Sequence, residues 1–285
     1  MNVNELKICS YSNKGEELIN DLKLNDDKKI IKWQILNCRN IQNSILNYIG
    51  FTPKTKEDLK KAVNLWCNNK KEAIKKYGDI NRWNVHNITD MSKLFGNFIK
   101  FNDNINNWDV SNVKNMSCMF LNCRKFNQPL NNWDVSNVKN MECMFEYCKK
   151  FNQPLNNWDV SKVQNMDSMF YSCREFNQPL DKWNVSNVKN MSCMFSDCYK
   201  FNQPLNDWDV SKVENMEGIF FECYNFNQNI NSWDTSNVTN MKTMFFHAKN
   251  FNQPINSWII SKDCNTKNMF DECKLDKEFY PKNYK

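Results

Sequence analysis

Apolar residues along this chain follow two patterns, and both recur every 25 positions. In residues 101–125, Met116, Met119, Phe120 and Cys123 fall at the i, i+3, i+4, i+7 spacing of one helical face. Val113 extends that face, and Ser111 stands ahead of it as an N-cap. The spacing predicts a short helix over 112–123. Before it, Trp108 and Val110 alternate with polar residues as a short strand would. Phe126, Asn127, Gln128 and Pro129 form the return. Pro129, Pro154, Pro179, Pro204 and Pro254 share one position, and proline has no N–H to give a ladder. Strand pairing is therefore expected after the proline, over 130–135.

Tryptophan fixes the period. Trp83, Trp108, Trp133, Trp158, Trp183, Trp208, Trp233 and Trp258 stand 25 residues apart without an insertion. Around each, the unit reads FNQPLNxWDVSNVxNMxxMFxxCxx, best preserved at 126–150, 151–175 and 201–225. The first unit (76–100) and the last (251–275) are degraded, as terminal coils of a stack must be. One short strand and one short helix cannot bury a core alone. Stacking lets each coil cover the next, so the expected fold class is an α/β solenoid of eight coils, about 40 Å long at about 5 Å per coil.

The run V-x-x-M-x-x-M-F-x-x-C-x-x-F, from Val138 to Phe151, resembles the Treponema-type leucine-rich repeat. The FNQPLNxWDVSNV half is similar to the BspA-like branch of that class, also known as the Mycoplasma-lipoprotein type. The resemblance covers about residues 59–273, and the opening segment LKKAVNLWCNNKKEAIKKYGDINRWNVHNITDMSKLF looks like the usual start of such arrays. It implies a right-handed leucine-rich-repeat-like array used for adhesion or protein binding, without enzymatic activity.

Residues 1–58 carry no repeat. Ile41, Ile45, Leu46 and Ile49 lie on one helical face ended by Gly50. Thr55 with Asp58 reads as a variant capping box, followed by an apolar face of Leu59, Ala62, Val63 and Trp66. The expected organisation is an N-terminal helical region (1–58), a helix over 59–78 covering the open end of the first coil, the repeat array (79–273) and a C-terminal tail (274–285). A helical adaptor over 30–50, vaguely like an F-box, is the other reading of the N-terminal part.

Composition narrows the function. An apolar share of 41% with 14% aromatics excludes a fully disordered chain. No run of about 18 apolar residues offers a membrane span. The opening segment carries acids early and has no apolar stretch of signal-peptide type, so an intracellular protein is expected. Surface exposure would need an unrecognised route. Residues 1–80 hold 15 basic and 10 acidic side chains, and residues 81–285 hold 23 and 22. The repeats thus lack the net charge of a nucleic-acid groove, and no nucleic-acid partner is expected.

The repeated polar and sulfur columns invite chemistry, but each has a structural use. Cys123, Cys148, Cys173, Cys198, Cys223 and Cys273 occupy one column, Cys118, Cys143 and Cys193 another; the first continues the apolar face and reads as core rather than zinc ligand. Asp109, Asp134, Asp159, Asp209 and Asp234 would form a carboxylate row suited to calcium. Asn84 and Asn184 in the same column instead suggest Asx turns that cap backbone N–H groups. His86 and His247 lie six coils apart, too far to form a dyad. No cofactor, metal or catalytic residue is expected. Function is left to positions that differ between coils: the residues before each Trp, namely Arg82, Asn107, Asn132, Asn157, Lys182, Asp207, Ser232 and Ser257, and those around 121–125 and their equivalents. The expected function is a non-enzymatic scaffold binding protein partners through such a face. A BspA-like surface adhesin and a metal-binding structural repeat protein are the alternatives.

Overall fold

The computed structural model describes residues 50–284. The expected helix ending at Gly50 and the adaptor reading of 30–50 lie, but for Gly50 itself, outside the described residues. The chain divides into two compact units, Met1–Asn87 and Ile88–Lys285, so residues 79–87 group with the N-terminal part rather than with the array.

In the first unit the capping box forms. The Asp58 N–H donates to Thr55 Oγ1 at 3.1 Å, and the Thr55 N–H donates to Asp58 Oδ2 at 3.2 Å. They start helix α1, Lys56–Asn68, which buries Leu59, Ala62, Val63 and Trp66. The single helix expected over 59–78 is two. The chain breaks at Asn69, whose side chain caps α2, Lys70–Tyr77, by accepting from the Glu72 N–H. The apolar face of α1 meets Trp83, with ring centroids of Trp66 and Trp83 5.8 Å apart. Phe51 and Tyr77 close around the same indole at 5.4 and 5.9 Å. Gly50 sits at φ +73, and a Cβ there would stand 2.1 Å from the Arg82 carbonyl oxygen, so no other residue fits.

The second unit contains no α-helix among its described residues. Parallel bridges link Asp90 to Asn115, Asn115 to Asn140, and so on to Asn265, one coil to the next. From there the chain runs as linked turns. The Met119, Leu121 and Cys123 N–H groups donate three residues back, to Met116, Cys118 and Phe120. The N–H groups between them, on Met116, Cys118, Phe120 and Asn122, donate to Asn140, Glu142, Met144 and Glu146 of the next coil. Cys118 and Asn122 stand in the left-handed region at φ 55 and 60, as do their equivalents along the array.

This corrects the helix expected over 112–123. A helix spends its N–H groups internally and keeps its neighbours about 8–10 Å away, whereas coils that share backbone hydrogen bonds lie about 5 Å apart. The apolar spacing survives because one turn per two to three residues also brings 113, 116, 119, 120, 123 and 126 inward, where all six are buried. The strand expected over 130–135 is likewise a pair of turns, closed by Trp133 N–H to Leu130 O and Val138 N–H to Val135 O. The inter-coil ladder runs through 115–122 instead.

Aromatic columns fill the core. Phe95, Phe120, Phe145 and Phe170 stack nearly parallel with centroids 5.4, 5.5 and 5.7 Å apart. Trp133 and Trp158 stack at 6.4 Å. Each indole from Trp133 onward also donates Nε1–H to a carbonyl of the preceding coil, as Trp158 does to Leu130 at 3.1 Å. The Cys column serves the same purpose: Cys148 and Cys173 are buried and donate their thiols to the carbonyls of Phe120 and Phe145 at 3.1 and 3.0 Å. Such a position wants a small apolar side chain with one weak donor, which is what cysteine supplies. At the far end Phe270 packs on Tyr280 and Tyr284 of the tail. Among the described residues no helix is long and apolar enough to cross a membrane.

Candidate interaction surface

The left-handed residue near 122 in each coil turns the chain outward, so the side chains around 121–125 and their equivalents form one edge of the stack. Their chemistry changes from coil to coil. Tyr147 and Tyr171 meet edge to face at 5.2 Å. Tyr199 and Tyr224 stack at 4.8 Å, with the Arg174 guanidinium 4.8 Å above the first ring and the Lys249 ammonium 5.2 Å from the second. Phe221 and Phe246 stack at 4.9 Å, and His247 lies on Phe246 at 4.3 Å.

Carboxylates tie this edge together. The Tyr224 hydroxyl donates to Glu222 Oε2 at 3.0 Å, and His247 Nδ1 stands 3.7 Å from Glu222 Oε1. Burial, then the hydrogen bond and the charge of Glu222, raise the Tyr224 phenol to about 12. Asp197 is raised above the ordinary carboxylate value by burial and by its hydrogen bond to Glu222, against the opposing pull of Arg174. Partly dehydrated tyrosines flanked by cations are the side chains that carry most energy at protein interfaces.

The column before each Trp is exposed throughout. Arg82 belongs to the first unit; Asn107, Asn132, Asn157, Lys182, Asp207, Ser232 and Ser257 line up along the second. Much of its bonding capacity is spent within the stack. Asn132 Oδ1 accepts from Asn131, the Ser232 hydroxyl donates to Asn206 O at 2.7 Å, and the Ser257 hydroxyl bonds to Asn231. A shallow groove of about 340 Å³ runs beside Asn107 and Asn132. Along the second unit the column offers Asn and Ser groups with one Lys and one Asp, and no aromatic anchor.

The Asp column forms Asx turns. Asp159 and Asp209 accept from the N–H groups of Ser161 and Ser211 at 3.0 and 3.1 Å, and Asn184 does the same for Ser186. Hydrogen bonds from Ser161 and Ser211 hold both Asp carboxyls below their ordinary value of 3.8. That contribution is complete above pH 3.8 and is lost as pH falls through the lowered folded-state values. Among the described residues no three His, Cys, Asp or Glu side chains converge on a possible metal position. Thermal melts with and without a chelator should therefore overlay. A native-state metal at about 100 times its dissociation constant would add about 2.7 kcal/mol, so a chelator-induced fall of that size would reassign the Asp column to calcium.

The sequence model of one family matches the chain twice, over residues 57–183 and 165–281; the family is described as Mycoplasma protein of unknown function, DUF285. No curated protein and no solved structure matches.

Proposed function

The chain belongs to DUF285, a family of Mycoplasma proteins of unknown function, and we propose that it is a non-enzymatic repeat scaffold that binds protein partners inside the cell through one extended face. In this reading the coil stack is a right-handed leucine-rich-repeat-like solenoid of the BspA-like type, and its core columns serve only to hold the face. The observation that carries the proposal is the edge built from Tyr147, Tyr171, Arg174, Tyr199 and Tyr224, where aromatic rings and cations stand together outside the core. Tyrosine and arginine anchors held on a rigid scaffold bind at low entropic cost.

The test is affinity capture with the full chain and with the double variant Tyr199→Ala, Tyr224→Ala. Melting curves of the two should agree closely, since both rings lie outside the core. A protein retained by the full chain and lost by the variant is the expected result. Loss with Lys182→Ala, Asp207→Ala instead would move the binding face to the column before Trp. If no protein is specifically retained, the reading fails.

A further inference from the structure

We infer that the edge of the array running from Lys100 to Arg174, with the asparagine row beside it, is a docking groove for an extended acidic peptide segment of a partner. The inference rests on the protein-binding reading and names the chemistry of the partner. Although residues 81–285 carry 23 basic and 22 acidic side chains, their placement is uneven. At the edge positions 99–100, 124–125, 149–150 and 174–175, four successive coils place Lys100, Arg124, Lys125, Lys149, Lys150 and Arg174 against one carboxylate, Glu175. Lys100, Lys125, Lys149 and Lys150 form no ion pair with any described residue, while Glu175 is held by Lys200 at 2.6 Å. The column is thus a line of positive charge compensated only in part, by Glu175 near Lys150 and by Asp197 near Lys149 and Arg174, on a unit whose summed charge hides it.

The neighbouring row adds directional groups. Asn127 Oδ1 accepts from the Asn152 N–H at 2.9 Å and from Gln153 Nε2 at 3.1 Å, and the pattern repeats at Asn152, Asn177, Asn202 and Asn227. A backbone N–H can only donate, so the amide oxygen must face the stack and the amide NH₂ must face away. Those NH₂ groups, from Asn127 to Asn227, have no acceptor among the described residues. Each Gln spends its NH₂ on that bond and keeps Oε1 as an unused acceptor. Further along, the two rows share a groove of about 590 Å³ lined by Lys200, Asn177, Asn202 and Asn227.

Cations, amide donors and amide acceptors in parallel rows suit an acidic peptide. Its carboxylates meet the cations, its carbonyls take the Asn NH₂ groups and its own N–H groups reach the Gln oxygens. A DNA sugar–phosphate backbone has no donor for those oxygens, and an RNA backbone has only its 2′-hydroxyls. Four coils at about 5 Å span roughly 15–20 Å, the length of about six extended residues.

The test is direct binding of a labelled peptide of about ten alternating Glu and Ser residues to the full chain at low salt. Controls are the same peptide with Gln for Glu and an oligothymidylate of similar length. We expect the Glu peptide to bind, its affinity to fall with added salt, and Lys125→Glu with Lys150→Glu to weaken it by at least about tenfold. Both lysines are exposed, so unchanged melting of that variant confirms an intact stack, and Lys125→Gln with Lys150→Gln should give an intermediate loss. Equal binding of the Gln and Glu peptides, undiminished binding by the charge-reversed chain, or tighter binding of the oligothymidylate would each overturn the inference. If the full chain still captures a protein that Tyr199→Ala, Tyr224→Ala loses, the protein-binding reading survives that failure.

Discussion

Trp158→Ala should cost about 3–5 kcal/mol of stability, and Lys162→Ala in the same coil less than about 0.5. Trp158 is 3% exposed, stacks on Trp133 and Phe145 at 6.4 Å each, and donates to the Leu130 carbonyl. Truncation removes the rings' contact area and leaves that carbonyl without its indole donor. Lys162 donates to Asn137 Oδ1 at 2.7 Å, but both groups are in reach of water that can replace the bond. The loss is larger than a single buried side chain suggests, because each coil is stabilised by its two neighbours, and a defect in a middle coil weakens the coupling of both halves. Unfolding of Trp158→Ala should therefore lose cooperativity as well as midpoint. Trp158→Phe separates the two contributions: it keeps a ring and lacks the N–H, and should fall between. Equal midpoints for Trp158→Ala and Lys162→Ala in chemical denaturation would overturn the buried-column account.

The period, the buried columns and the Asx turns were all readable in the sequence, because each depends on side-chain size or on a bond made within two residues. The path of the backbone was not. An inward residue every three or four positions is common to an α-helix and to the turn chain found over 112–123, and only the left-handed residues distinguish them. In the column of Cys118 those positions hold Lys93, Cys118, Cys143, Ser168, Cys193, Thr243 and Asn268, with glycine only at Gly218, so the usual glycine signal for positive φ is missing from all but one coil. Their conformation is imposed by the inter-coil ladder that their N–H groups complete. The cysteine column was legible as core but not as a set of thiol donors, since the accepting carbonyls lie 28 residues earlier in most coils.

The surface was legible in part for a related reason. Variation from coil to coil marks both the column before Trp and the edge around 121–125. Which of them gathers aromatic rings depends on how the turn at 122 aims its neighbours. Net charge misleads here too: near-neutrality over residues 81–285 conceals a cationic stretch of the edge from Lys100 to Arg174, because most acids of that edge, such as Asp197, Glu222 and Glu272, fall in later coils and others, such as Asp109 and Asp134, in the Asp column. Charge per column, rather than charge per domain, is the informative quantity in a stack of identical cross-sections.

A chain beginning at Asp79 should aggregate or unfold, whereas one beginning at Gly50 should keep the contacts that protect Trp83. Trp83 is 2% exposed, enclosed by Phe51, Trp66 and Tyr77. Cutting at Asp79 removes all three rings and the buried residues Leu59, Ala62, Val63 and Ala73 with them. Burying a large aromatic side chain is worth about 1.5–3 kcal/mol by transfer alone, and an uncovered indole invites association with another apolar surface. The cover over Trp83 also begins earlier than the apolar pattern of 59–66 implies. The Asn84 N–H donates to the Phe51 carbonyl at 2.8 Å, and Gly50 fits under the Arg82 carbonyl where no Cβ has room. A chain beginning at Lys54 keeps both helices and loses that strap, so its melting point should lie below that of the chain beginning at Gly50. Size-exclusion chromatography with thermal melts of the three chains separates the outcomes. If the Asp79 chain is monomeric and as stable as the Gly50 chain, α1 and α2 do not protect the repeats, and the first unit is an independent domain whose basic side chains call for a partner of their own.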